Sequence, residues 1–193
     1  MFVIKLGGSL IKDRGALRSI LSELEVLSKE HRLMIVPGGG EFADLVRTYD
    51  QEFGLSDNIS HKMAILAMDM NGLVISNFSD KFTPVYSLDL NNKLFKKTIN
   101  QKYKNKIPVL IPSQFLYSRK DIEPSWDVTS DSLSVYIANF LGAEKLILLK
   151  STDSGKDSVD PMFKEFIEKY PVRYDLINGK HPERIKQYLY TKS

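Results

Sequence analysis

Phe2-Val-Ile-Lys-Leu-Gly-Gly-Ser-Leu10 opens the chain with a short apolar run, partly β-branched and broken at once by paired glycines. The run reads as a buried strand over Phe2–Leu6. Leu17, Ile20, Leu21, Leu24 and Leu27 then recur at helical spacing. The same order returns at Leu33-Met-Ile-Val-Pro-Gly-Gly-Gly40, where a second strand ends in Pro37 and three glycines before a helical pattern through Phe42, Leu45 and Val46. A third segment, Ser125-Trp-Asp-Val-Thr-Ser-Asp131, heads an apolar helical run. Two glycine loops, each between a strand and a helix, imply two anion sites facing one another.

Outward from these segments, the spacing predicts a helix from about Ile59 to Phe78, with Met63, Leu66, Ala67, Met70, Leu73 and Val74 as its apolar stripe. Val109–Ile111, bounded by Pro108 and Pro112, reads as a strand. Val128–Leu141 reads as a helix stopped by Gly142, and Lys145–Leu149 is the clearest strand of all. Met162–Tyr170, Tyr174–Ile177 and Pro182–Tyr190 follow as helix, strand and helix, with Pro182 in the first turn. Strands alternating with helices imply parallel pairing through right-handed crossovers. The expected fold is therefore one α/β domain, a three-layer α/β/α sandwich with a mainly parallel central sheet. Ligands in such sheets bind beyond the carboxyl ends of the strands, where both glycine loops sit.

Composition excludes several function classes. A chain of 193 residues, 42% hydrophobic and 26% charged, can bury a real core as a single soluble domain. A net charge of +3 is too weak to argue for nucleic acid, and the basic stretch from Lys93 to Lys106 reads as a solvated segment. Without cysteine there is no disulfide framework, zinc–thiolate site or cysteine nucleophile, which fits a cytoplasmic location. No apolar run approaches the roughly 20 residues of a membrane span. Lys5 and two glycines interrupt the first apolar stretch too early for a signal peptide. His31, His61 and His181 form no convergent set, so no metal site is expected, and His61 reads as a packed or surface residue.

Gly7, Gly8 and Ser9 allow backbone N–H groups to approach an anion, and Lys5 at the strand end could offset phosphoryl charge. A tight turn with a solvent-facing lysine is the alternative. Neither loop has the Gly-Lys-Ser/Thr ending of a Walker motif or the Gly-x-Gly-x-x-Gly of dinucleotide binders. Gly38, Gly39 and Gly40 leave a stretch of bare backbone, which suits close packing against a ligand. Asp127 and Asp131 are four apart and on one helix would project near each other, while Thr129 and Ser130 could cap it. Spacing leaves the roles of the two carboxylates open. Asp153, Asp157 and Asp160 follow the strongest strand, in either a solvated or a nucleotide-binding loop. Trp126, the only tryptophan, reads as a partly buried anchor.

Lys5-Leu-Gly-Gly-Ser9, Pro37-Gly-Gly-Gly40, Thr129-Ser-Asp131 and Gly142-Ala-Glu-Lys-Leu-Ile-Leu-Leu149 leading into Ser151-Thr-Asp153 together resemble the amino acid kinase family, in the family's order and over nearly the whole chain. Ser60-His-Lys-Met-Ala-Ile-Leu-Ala-Met68 and Asn178-Gly-Lys-His-Pro-Glu-Arg184 add a likeness to its small archaeal members of methanofuran biosynthesis, which phosphorylate a phosphorylated aminomethylfuran with ATP. The resemblance implies a Mg²⁺-ATP-dependent kinase acting on a small phosphate monoester. Lys5 would stabilise the transferred phosphoryl and Asp131 would orient Lys5. Gly7, Gly8 and Ser9 would cradle the ATP phosphates through backbone N–H groups, with Lys150, Thr152, Asp153, Gly155 and Lys156 flanking the nucleotide. Gly38, Gly39, Gly40, Asp127, Thr129 and Ser130 would shape the acceptor pocket. Residues 1–140 would supply mainly the acceptor side and the phosphate loop, and 141–193 mainly the nucleotide side. The family also implies a homo-oligomer, with the 59–78 helix as its candidate interface. Two family features are missing: a Gly-Met-x-x-Lys segment carrying a second phosphate-binding lysine, and a C-terminal Gly-Thr strand. Lys150, Lys156 and Lys180 are the candidates to replace that lysine.

Overall fold

The computed structural model describes residues 1–88, 103–153 and 159–190. Most of the basic stretch, and the expected nucleotide contacts Gly155 and Lys156, lie outside the described residues. Strand β1 (Phe2–Leu6) is buried throughout and pairs in parallel with β2 (Leu33–Pro37) on one side and β5 (Lys145–Lys150) on the other. With β3 (Phe82–Val85), β4 (Ile107–Leu110) and β6 (Tyr174–Asn178), they form a six-stranded parallel sheet ordered β3-β4-β2-β1-β5-β6. The chain builds outward from β1 to one side and then returns to the other. The crevice between β1 and β5 is thus where successive connections diverge, the place such sheets bind ligands.

Alternation along the strands divides the core into two faces. Ile4 and Leu6, with Ile35, Ile147 and Leu149, pack against Ile20, Leu21 and Leu24 of α2 (Arg14–Leu27). Val3, Met34, Val36, Leu146 and Leu148 pack instead with Ile65 and Met68 of α4 (Asp57–Ser76) and Leu133 and Ile137 of α6 (Ser130–Phe140). The remaining helices are α1 (Gly8–Lys12), α3 (Gly40–Phe53), α5 (Ser113–Leu116), α7 (Phe163–Lys169) and α8 (Ile185–Tyr190), the last entered through a 3₁₀ turn at Pro182–Arg184. Gly142 ends α6 as expected. At φ +54° its N–H donates to Asn139 O and that of Ala143 to Ala138 O, satisfying the last carbonyls.

Three differences from the sequence reading have physical causes. Strand β3 was not expected, because Pro84 interrupts its apolar run; proline is tolerated there because β3 is an edge strand. Helix α6 begins at Ser130, so Asp127 precedes it and does not share a helical face with Asp131. The apolar stripe of α4 divides. Ala67 is buried, with Ile65, Met68 and Ile75, whereas Leu66, Met70, Leu73 and Val74 are each more than 40% exposed. The helix is apolar on two faces and the chain covers one of them. No described helix is long and apolar enough to cross a membrane.

Candidate active site

Pleat parity brings the key charges together. Lys5 follows Val3 on one face of β1, and Lys150 follows Leu146 and Leu148 on the same face of β5. Asp131 in the first turn of α6 reaches between them. Its Oδ1 accepts from Lys5 Nζ at 2.6 Å, and its Oδ2 accepts from Lys150 Nζ. Lys5 is 3% exposed and Asp131 4%, so this is a buried cluster of two cations on one carboxylate. Burial opposes ionisation of Asp131, but the charges and hydrogen bonds of both lysines outweigh it and hold the carboxyl below the usual aspartate range. Burial, then the charge of Lys5, pushes Lys150 below the usual lysine range, against the pull of Asp131.

Asp160 fixes the start of α6, and hence Asp131. It accepts from Thr129 N and Ser132 N at 3.0 Å, from Thr129 Oγ1 at 2.7 Å and from Ser132 Oγ. A carboxylate here satisfies amides that the helix leaves unpaired and suits its dipole. Asp160 is therefore a helix-capping group, neither the solvated residue nor the nucleotide contact considered from the sequence.

The two glycine loops touch backbone to backbone. A Cβ on Gly8 would lie 2.2 Å from Gly40 Cα, and Gly40 itself has φ +53°. Asn71 of α4 holds the second loop, donating through Nδ2 to Gly38 O at 2.7 Å and Gly39 O at 2.8 Å. Gly7 and Gly38 differ from expectation. Their N–H groups donate to Leu149 O and Leu6 O, prolonging the strand pairing, and neither residue lines either cavity beside Lys150.

Two cavities flank the cluster. One of about 260 Å³ is lined by Lys5, Asp131, the loop residues Gly8, Ser9, Gly39 and Gly40, and by Thr129 and Ser130. The other, of about 320 Å³, is lined by Thr152 and Asp153, and also by Asn178, Arg184 and Tyr188. Lys150 lines both. Asp127 is exposed and lines neither; the turn before α6 carries it outward. Lys180 is likewise exposed and lines neither, which leaves Lys150 as the second lysine beside Asp131 among the described residues.

Sequence reasoning missed several lining residues. Asp44 and Arg47 lie along α3 after the triple glycine, and His61 lies at the start of α4. Burial pushes the His61 imidazole below its usual range, which favours the neutral form. Trp126 is an anchor, donating from Nε1 to Asp50 Oδ2 at 2.7 Å, but its ring also lines the first cavity. Arg184 and Tyr188 reach the second cavity from beyond β6, too far along the chain for motif spacing to reveal. Asn71, which holds the second glycine loop, was also missed, although it is a polar residue in the apolar second half of α4.

Comparison with known proteins identifies the family. The family model described as "Amino acid kinase family" matches residues 1–154. The [5-(aminomethyl)furan-3-yl]methyl phosphate kinase of Methanocaldococcus jannaschii is 32% identical, across 100% of this chain and 97% of its own. Among solved structures, uridylate kinase from Archaeoglobus fulgidus superposes with a TM-score of 0.73 at 16% identity, covering 100% of this chain and 96% of that one. UMP kinase from Ureaplasma parvum gives 0.70 at 16% identity, with 100% and 95% covered. The strand order, the paired glycine loops and this match over most of the chain lead to one conclusion: the protein belongs to the amino acid kinase family.

Proposed function

We propose that the protein is an ATP-dependent kinase that adds a phosphoryl group to a small phosphate monoester, [5-(aminomethyl)furan-3-yl]methyl phosphate, to give the diphosphate. The observation that carries this reading is the Asp131 carboxylate held between Lys5 and Lys150, with a cavity on either side. Joining two phosphorylated compounds brings like charges together, and a site for it needs fixed positive charge between two pockets. Two lysines on one aspartate leave an excess of one positive charge there.

In the reaction, an acceptor phosphate oxygen in the first cavity attacks the terminal phosphorus of ATP. A new P–O bond forms in line with the bond that breaks, and ADP departs on the side of the second cavity. That oxygen is already anionic near neutral pH, so no general base is required. Lys5 and Lys150 neutralise charge on the phosphoryl in transit, while Asp131 positions both. The amides of Gly8 and Ser9, in the first turn of α1, have no partners within the helix and can donate to phosphate oxygens. Both Asp131 oxygens carry lysines, and no three acidic or histidine side chains cluster as a metal cage among the described residues. Mg²⁺ would therefore enter on the ATP phosphates, supplying charge neutralisation there.

ADP release is the test, measured with the aminomethylfuran phosphate, UMP and isopentenyl phosphate as acceptors. Turnover of the first is expected. A response to UMP alone would overturn the acceptor, unchanged turnover in Lys5→Ala would overturn the mechanism, and ATP binding without turnover of any acceptor would favour a non-catalytic nucleotide-binding role. We assign the exposed apolar face of α4, with Leu45, Tyr49 and Phe53 of α3, to self-association. Sedimentation of Leu66→Glu checks this, with a smaller assembly than wild type expected.

A further inference from the structure

The geometry points to Asp44 as the group that binds a cation on the acceptor, and to the Trp126 ring as the wall against which the acceptor's own ring lies, so that the first cavity selects a flat, cationic phosphate monoester. This deepens the proposed function and rests on it. Two carboxylates line the cavity. Asp131 is committed to two lysines, which leaves Asp44. Asp44 lies four residues beyond Gly40, one helical turn, so it stands about 6 Å along α3 from the loop beside the phosphate-binding lysine. Its partner is Arg47, with Nη1 3.3 Å from Oδ1 and side-chain exposures of 72% for Asp44 and 47% for Arg47. Exposed pairs of this kind contribute little, so the carboxylate is exchanged readily for an incoming ammonium.

Trp126 is fixed from two other elements before any ligand arrives. Its Nε1 donates to Asp50 Oδ2 on α3, and Asp50 Oδ1 accepts from the buried Ser60 Oγ of α4 at 2.8 Å. The Arg47 guanidinium stands 4.6 Å over the ring. An aromatic wall already held in place loses little freedom on binding. Ile65, Met68 and Val128 supply apolar lining. A ligand that uses all of this has a phosphate at the lysine end, a planar ring in the middle and a cation about one helical turn away. Isopentenyl phosphate offers neither ring nor cation, and the uracil of UMP offers no cation.

The test measures ADP release with [5-(aminomethyl)furan-3-yl]methyl phosphate and with its uncharged hydroxymethyl counterpart. Wild-type protein is expected to prefer the amine. Asp44→Asn should lower kcat/KM for the amine by about ten- to a hundredfold, mainly through KM, and narrow the preference. Asp127→Asn should leave the preference where it was. Trp126→Leu should raise KM for both compounds, and Trp126→Phe should recover most of the loss. Equal loss on both acceptors in Asp44→Asn, or a preference carried by Asp127, overturns the assignment of Asp44. An unaltered KM in Trp126→Leu overturns the wall. Wild-type protein that turns over neither compound sinks the proposed function as well, whereas turnover with the Asp44→Asn preference intact sinks Asp44 alone.

Discussion

Replacing Asp131 with asparagine keeps the size of the side chain and removes the charge that two lysines share. In the native protein each carboxylate oxygen carries one ammonium group. Asparagine leaves one acceptor and turns an NH₂ donor toward the other lysine. Removing one partner of a buried ion pair costs about 3–5 kcal/mol, because the remaining charge stays uncompensated. The lysine side chains differ here. That of Lys150 is 16% exposed and can turn toward water, whereas that of Lys5, at 4%, cannot. The expected loss is therefore near the lower end, about 3 kcal/mol, or about 6–12 °C in Tm for a chain of this size. Misplacing the lysines should also lower kcat by about 10²–10³. Denaturant unfolding and ADP release check both effects, and a double-mutant cycle with Lys150→Met should recover about 1–3 kcal/mol of coupling. The folded-state pKa of Asp131 is depressed, so its contribution is present above the unfolded aspartate value of about 3.8 and is lost as pH falls through the folded value. The gap between wild type and Asp131→Asn should close in acid. Wild-type stability and undiminished kcat in Asp131→Asn would refute the reasoning.

Gly8→Ala sets a Cβ against Gly40 backbone that cannot yield, and should cost about 3 kcal/mol or more in denaturant unfolding, together with turnover. Asp160→Ala should cost about 2 kcal/mol by exposing the α6 amides and Asp160→Asn less; unfolding curves indifferent to both would remove the capping role. Turnover should fall at alkaline pH as Lys150 deprotonates below the usual lysine range, and Lys150→Arg should move that limb to higher pH. Stability responds to this group with the opposite sign. The fold holds the Lys150 proton less tightly than the unfolded chain, so its destabilising contribution is full below the folded pKa and relieved as pH rises toward about 10.5.

The alternation of short apolar runs with helical patterns determined the fold class by itself, because a parallel sheet covered on both faces admits only strands of that kind. Sequence also marked Lys5, the glycine loops and Asp131 as candidates, through bare backbone beside a lysine at a strand end and through the resemblance to the family. Even the placing of Lys5 and Lys150 on one face of the sheet was implicit in strand parity, had the register of β1 with β5 been known. Register is what spacing cannot supply, because it depends on contacts between residues more than a hundred positions apart. The same holds for Asp160, which caps a helix that begins 30 residues earlier, and for Asp44, Arg47 and Trp126, gathered in one cavity from α3 and a distant loop. Asp127 shows the converse: its spacing matched a helical face, but the helix starts after it and the turn directs it outward. Local pattern fixes most of the elements that form. Which side chains meet at their ends is decided by the packing of elements distant in sequence, and that is where the chemistry of this site arises.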